Sequence, residues 1–529
     1  MKKNTHCHIV FILITILIGC SNSDIYRTNQ IANQVITPEL MQKHIFFLAS
    51  DSMKGRNTPS PELDSAANYI AGVFKGSGLQ PVNGSYFEKV ALSIVSLGED
   101  NYLKIAKDKV ENSYKIKTEF TPFDMTGNEE VKAQIVFAGY GITAPEYKYD
   151  DYKDIDVKGK IVFVLKHEPG EEDSSSIFNG VKETEYSNVS EKVKNAIEHG
   201  AIGVLAVTDP LNHESLTPRG FPWPILSKFL PKDALPIALA ADEKKKVPVV
   251  HVGEEVINQL FGSVNALKKI QTQIDSTTKP NSFEIPNAYV SMKTTTTIKD
   301  MSSQNVVGYL EGSDPKLKNE ILIIGGHYDH VGYMKQHKDS VDYIYNGADD
   351  NASGTSSVMA IAEAFGKMPM KPKRSVLFMA FAGEEKGLFG SRSYVNQPLF
   401  PLDQTVAMLN LDMEGRNSVD SLYMVSEALS PDLAQINREE NKEIGFTLID
   451  EEKLQGGSDH MSFQKKKIPF LFYFAGMHPD VHQVTDEPEK INTIKAAKAA
   501  RLAFRTAWRI ANEDKKYHLI ENPKQIQLF

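Results

Sequence analysis

From about Gln304 the chain alternates short, continuously apolar runs with helical stretches, and this pattern narrows the fold more than any other feature. Four runs stand out, at 321–324, 375–381, 406–411 and 468–474, and 353–365 reads as a helix. A strand with no polar alternation must be covered on both faces, so the pattern predicts a mixed, largely parallel α/β sheet flanked by helices. In such sheets ligands bind beyond the carboxyl ends of the strands.

The residues just beyond those strand ends are chemically distinctive. After Ile324 come Gly325-Gly326-His327-Tyr328-Asp329-His330; after Phe381 come Ala382-Gly383-Glu384-Glu385; after Leu411 comes Asp412. Between the first two lies Asn346-Gly347-Ala348-Asp349-Asp350-Asn351-Ala352-Ser353-Gly354, a turn opening a helix, and near the last strand lies His478-Pro479-Asp480-Val481-His482. Singly, each has an ordinary reading: an Asp after a strand is commonly an N-cap, and a Glu pair commonly a solvated helix start. Together, several carboxylates at one sheet edge are costly to desolvate without compensating positive charge, which a divalent metal supplies.

Upstream, Thr37-Pro38-Glu39 is a good helix start, and 64–75 repeats helical spacing with Ala67, Tyr69, Ile70 and Phe74 before Gly76-Ser77-Gly78 stops it. Between about Glu130 and Gln271 the texture changes to short β runs alternating with helices. Ala138-Gly139-Tyr140-Gly141, Asp151-Tyr152, Val157-Lys158-Gly159-Lys160, His199-Gly200-Ala201 and Val247-Pro248-Val249-Val250 occur in an order that resembles a β-rich protease-associated domain. Within it, the acidic, serine-containing stretch 171–176 and the proline-bearing stretch 211–235 read as loops, the first of them solvated.

The strand-end motifs resemble the co-catalytic two-zinc aminopeptidase family, which also contains glutamate carboxypeptidases, glutaminyl cyclases and transferrin receptor. Leu48-Ala49-Ser50-Asp51, Lys54-Gly55-Arg56 and Ser458-Asp459-His460 read like its framework segments. The resemblance implies a zinc-exopeptidase fold of the phosphorylase/hydrolase-like type over 35–125 and 300–529, interrupted by the insert at 130–271. It also implies two Zn²⁺ per chain and a peptide substrate. His327 would bind one zinc, with Asp329 behind it orienting the imidazole, and Asp412 would bind beside His327. Asp350 would bridge both metals, with a cis bond to Asn351, and Asp349 is the other choice. Glu384 would be the general base and Glu385 a ligand of the second zinc. His482 would complete that second site, with Asp486 as its acidic support and His478 structural. Zinc would lower the pKa of its bound water and Glu384 would take the proton. The activity implied is metallo-exopeptidase, most simply aminopeptidase. A carboxypeptidase, a glutaminyl cyclase and a non-catalytic receptor-like module are the alternatives. The carboxypeptidase would need a basic pocket, for which Arg416 is a candidate substrate-binding residue.

The amino terminus places this chemistry in a cell. Lys2 and Lys3 precede an apolar run too short to span a bilayer, ending in Leu17-Ile18-Gly19-Cys20. Residues 1–19 therefore read as a signal peptide, and the string resembles a bacterial lipobox in which Cys20 is lipidated. Polar 20–34 would tether the protein to a membrane of the bacterial cell envelope. Removing Lys2 and Lys3 moves the formal charge from −9 to −11 (−9 − 2), which disfavours nucleic acid as a partner.

Overall fold

The computed structural model describes residues 28–123, 125–218, 237–239, 246–334, 342–424, 428–450 and 457–520. The signal segment, Cys20, the first part of the tether and most of the 211–235 loop lie outside the described residues. The described chain divides into two compact units, one running to Leu92 and resuming at Met301, the other occupying the residues from Ser93 to Asp300.

The first unit is built on a mixed sheet. Eight of its strands are β1 (Phe87–Leu97), β2 (Thr296–Leu310), β3 (Ile321–His327), β4 (Ser375–Phe381), β5 (Thr405–Leu411), β6 (Ser421–Met424), β7 (Thr447–Asp450) and β8 (Phe470–Phe474), ordered β1-β2-β4-β3-β5-β8-β6-β7. The central strands β4, β3, β5 and β8 are mutually parallel, while β2 runs antiparallel to β4 and β6 antiparallel to β8. Every residue of β3 and β4 is buried. Alternate side chains serve different cores: Leu322, Ile324, Val376 and Phe378 face one, and Ile321, Ile323, Leu377 and Met379 face the other.

Helices α1 (Pro38–Leu48), α2 (Pro61–Gly76), α3 (Gly354–Lys367) and α4 (Thr493–Asn512) supply the first of those cores. Their starts are chemically marked. Thr37 and Ser60 cap α1 and α2 by accepting the N–H of Leu40 and Leu63, each followed by a proline whose missing N–H costs nothing there. Residues 28–35 correct the expected tether at 20–34: they are helical, and Ala32 and Ile36 are buried in the same core. Ile31, Ala32, Val35 and Ile36 recur at helical spacing, and that short amphipathic period was hidden by its polar neighbours.

The second unit carries an eight-stranded sheet ordered Val110–Tyr114, Tyr102–Lys107, Phe283–Thr294, Glu129–Phe137, Ile161–Leu165, Gly203–Val207, Val249–Val252 and Phe120–Pro122. Four of these, from Glu129–Phe137 to Val249–Val252, are parallel. The unit therefore extends beyond the expected insert at 130–271. Tyr102–Lys107, Val110–Tyr114 and Phe120–Pro122, expected with the catalytic region at 35–125, join this sheet because Leu103 pairs with Met292 and Thr121 with His251. Half-polar strands whose partners lie far away in sequence leave no local signal of that pairing.

Candidate metal and catalytic site

The sheet's carboxyl edge gathers the expected side chains. His327 ends β3, Asp412 follows β5, and Glu384 and Glu385 open the turn after β4. Asp350 lies in the tight turn Ala348–Ser353 that leads into α3, and its peptide bond to Asn351 is cis. The backbone enters these turns through Gly347 and Gly383, both at left-handed φ, where a Cβ at Gly347 would meet Asp350 O at 2.3 Å.

The two oxygens of Asp350 face different groups. Oδ1 lies 3.3 Å from His327 Nε2, which is also 3.4 Å from Asp412 Oδ1. Oδ2 lies 3.0 Å from His482 Nε2, which is 2.9 Å from Glu385 Oε2. Glu384 Oε2 stands 4.0 Å from His327 Nε2. His327, Asp350 and Asp412 thus form one cluster of ligand atoms, and His330, Asp350, Glu385 and His482 a second that shares Asp350.

A layer of hydrogen bonds fixes these groups. The Asp329 carboxylate accepts the Glu384 N–H at 3.1 Å and the Thr58 hydroxyl at 3.0 Å, with His327 Nδ1 3.2 Å from the Asp329 carbonyl and 3.7 Å from its carboxylate. Asp486, expected behind His482, has its carboxylate on the backbone N–H groups of Asp349 and Asp350 at 3.1 Å. Asp349 faces elsewhere, accepting the Gly415 N–H at 2.6 Å and lying 3.2 Å from His478 Nε2. Arg416 is paired with Asp480 at 2.6 Å, so any incoming carboxylate would have to displace a charge already in place.

Sequence reasoning left other residues without a role. Fully buried Arg56 donates to the carbonyls of Leu48, Tyr328, Asn346 and Gly347, tying together the segments that carry His327 and Asp350. Its framework string marked the position but not the contact. His330 lies 2.8 Å from Glu385 Oε1, and its signal was its place in the His-Tyr-Asp-His string.

The electrostatics are those of crowded, buried carboxylates. Burial opposes ionisation of Asp350, yet His327 and His482 hold its carboxyl well below the usual range. Burial and Asp350 push Glu385 up, but His482 and His330 outweigh them and hold it at about 2. Glu384 goes the other way: burial, helped by Glu385, Asp459 and Asp412 against the pull of His327, raises it well above a normal glutamate. Against burial, Glu385 and Asp350 raise His482 to about 11, and Asp412 and Glu384 raise His327. Asp412 Oδ1 is buried without a hydrogen-bond partner. Imidazoles and carboxylates converging with an orphaned buried oxygen make a donor set suited to zinc.

Residues 305–507 match the model of Peptidase family M28, and residues 131–260 that of the PA domain. The chain is 26% identical to aminopeptidase YwaD of Bacillus subtilis, over 71% of this chain and 69% of that protein. It is 27% identical to a probable leucine aminopeptidase of Trichophyton verrucosum, over 37% of this chain and 56% of that one. The fold is shared with the solved aminopeptidase from Aneurinibacillus sp. strain AM-1, at a TM-score of 0.53 and 21% identity over 94% of this chain and 98% of that one.

Metal binding here must release protons, because His327 and His482 are both held protonated above their ordinary range and must be neutral to bind a metal. Zinc affinity of the metal-free protein should therefore rise with pH, by about one to two decades per unit between pH 6 and 8. Chelator competition across that range checks it, and a flat profile would contradict the proton-linked site.

Proposed function

Because residues 305–507 are a Peptidase family M28 region and residues 131–260 a PA domain, we propose that this metallopeptidase is an aminopeptidase working with two zinc ions per chain. The observation that carries this reading is the Asp350 carboxylate, whose oxygens face His327 with Asp412 on one side and His482 with Glu385 on the other. That arrangement suits one bridging ligand, with Asp412 and Glu385 as terminal carboxylates. When bound, zinc supplies Lewis acidity that acidifies water and polarises the scissile carbonyl.

The chain's own residues do the rest. Glu384 accepts the proton of the attacking water and passes it to the departing amine. Its raised pKa suits a group that must both take and give a proton. The Asp329 carboxylate holds the Glu384 backbone N–H, so the base is positioned from the segment that follows the strand ending in His327. A probable glutamate carboxypeptidase of Arthroderma benhamiae is 27% identical over 60% of this chain, which keeps carboxypeptidase activity as the second reading. The Arg416–Asp480 pair weighs against it, since the candidate cation for a substrate carboxylate is already neutralised.

Residues 1–19 and Cys20 complete the proposal as a lipoprotein signal and its lipidated cysteine, which would put the enzyme on a membrane of the bacterial cell envelope. Cys20→Ser should move the protein from the detergent phase to the aqueous phase in a partition assay; retention in detergent would refute the anchor.

The two adjacent glutamates separate proton transfer from metal retention. Glu384→Gln should keep near-normal zinc while turnover of an aminoacyl nitroanilide falls by roughly two to four orders of magnitude. Glu385→Gln should lose zinc and be partly rescued by added metal. Full activity in Glu384→Gln, or greater zinc loss there than in Glu385→Gln, would overturn the assignment.

A further inference from the structure

A second gathering of ligand-type side chains lies in the other unit, at the carboxyl ends of two neighbouring parallel strands. Ile161–Leu165 and Gly203–Val207 pair in register, Leu165 opposite Val207. Two residues beyond each strand stand His167 and Asp209, and four residues further along the sequence from each of these stand Glu171 and His213. The paired strands therefore deliver two imidazoles and two carboxylates from equivalent positions, at the edge where sheets of this kind bind ligands.

The four donor atoms all lie within 4.8 Å of one another. His167 Nδ1 touches Asp209 Oδ1 and lies 3.6 Å from Glu171 Oε2. His213 Nε2 lies 2.9 Å from Glu171 Oε1 and 3.6 Å from Asp209 Oδ2. Each imidazole nitrogen thus faces both carboxylates. Four ligands at about 2.05 Å around a tetrahedral zinc would stand about 3.3 Å apart, which is the scale of these separations. A surrounding set of donors orients the acids: Asn212 Nδ2 donates to Glu171 at 2.8 Å, and Gln271 Nε2 approaches Asp209 at 3.5 Å.

Ion pairing alone accounts for this group poorly. Asp209 is wholly buried, and the side chain of Glu171 is only 11% exposed although its loop neighbours 172–175 are exposed, which corrects the solvated reading of that residue. The two imidazole rings stack with centroids 4.3 Å apart. If both were protonated they would repel, and if both were neutral two buried carboxylates would lack compensation. One dication removes both costs.

We propose that His167, Glu171, Asp209 and His213 form a binding site for a borderline divalent cation of the zinc class, separate from the cluster around Asp350. With all four positions filled by protein the site is closed, which makes its role structural, pinning two strand-end loops.

The test compares the full chain with a His167→Gln/His213→Gln double variant, both stripped by chelation and dialysed against zinc chloride. The variant should hold one equivalent of zinc fewer by elemental analysis, whatever number the first unit binds. Cobalt(II) titration should show a visible absorption step in the parent that the variant lacks. Should the double variant not fold, His213→Gln alone, whose side chain is 38% exposed, should weaken that step at least tenfold. Equal zinc content in folded parent and double variant, or an unchanged cobalt titration in His213→Gln, would overturn the site.

Discussion

Asp350, Glu385 and Asp412 are buried together at one edge of a sheet beside the half-buried Glu384, and the cost of holding these carboxylates out of water governs the structure around them. Three histidines offset part of that cost, and Arg56 adds a buried guanidinium whose donors go to main-chain carbonyls. Burial lowers Arg56 only to about 10, because Asp329 and Asp350 pull against it, so it stays cationic at neutral pH. Removing that charge would leave four carbonyls and the carboxylate cluster less satisfied at once. On the proposed reading, a divalent metal at each cluster would supply the remaining compensation.

The architecture brings these groups together by close approach of backbone. A Cβ on Gly326 would sit 2.4 Å from Leu411 O, and one on Gly354 2.2 Å from the same oxygen. Glycine at both places lets β3, β5 and the start of α3 converge, so that His327, Asp412 and Asp350 arrive within reach of each other. Asn351 fastens the junction, donating to Leu411 O at 3.0 Å and accepting the N–H of Gly354 at 2.9 Å and of Met413 at 3.2 Å. The Asn351 side chain thus fixes the backbone around the candidate ligands, which holds them ready for a metal.

Much of this was legible in the sequence. The four runs at 321–324, 375–381, 406–411 and 468–474 announced themselves because they are almost wholly apolar, and the strand-end residues stood out as charge where charge is expensive. Strands β6 and β7 escaped because they are short and mixed in character, and β1 and β2 because their partners are remote. The choice between Asp349 and Asp350 was legible only through a resemblance; in space it rests on Asp349 turning to Gly415 and His478. Nothing local in the sequence distinguished Glu171 from its exposed acidic neighbours, since only the register of two strands 42 residues apart brings His167 to Asp209. A framework string marked Arg56, but its contacts were hidden because its partners are main-chain atoms.

The central claim is that Asp350 joins two metal positions into one site. Zinc content per chain, measured in Asp350→Ala and Asp349→Ala after identical loading, tests it most directly. The account predicts that Asp350→Ala loses occupancy at both positions while Asp349→Ala keeps most of it. Full occupancy in Asp350→Ala, with loss in Asp349→Ala, would contradict it.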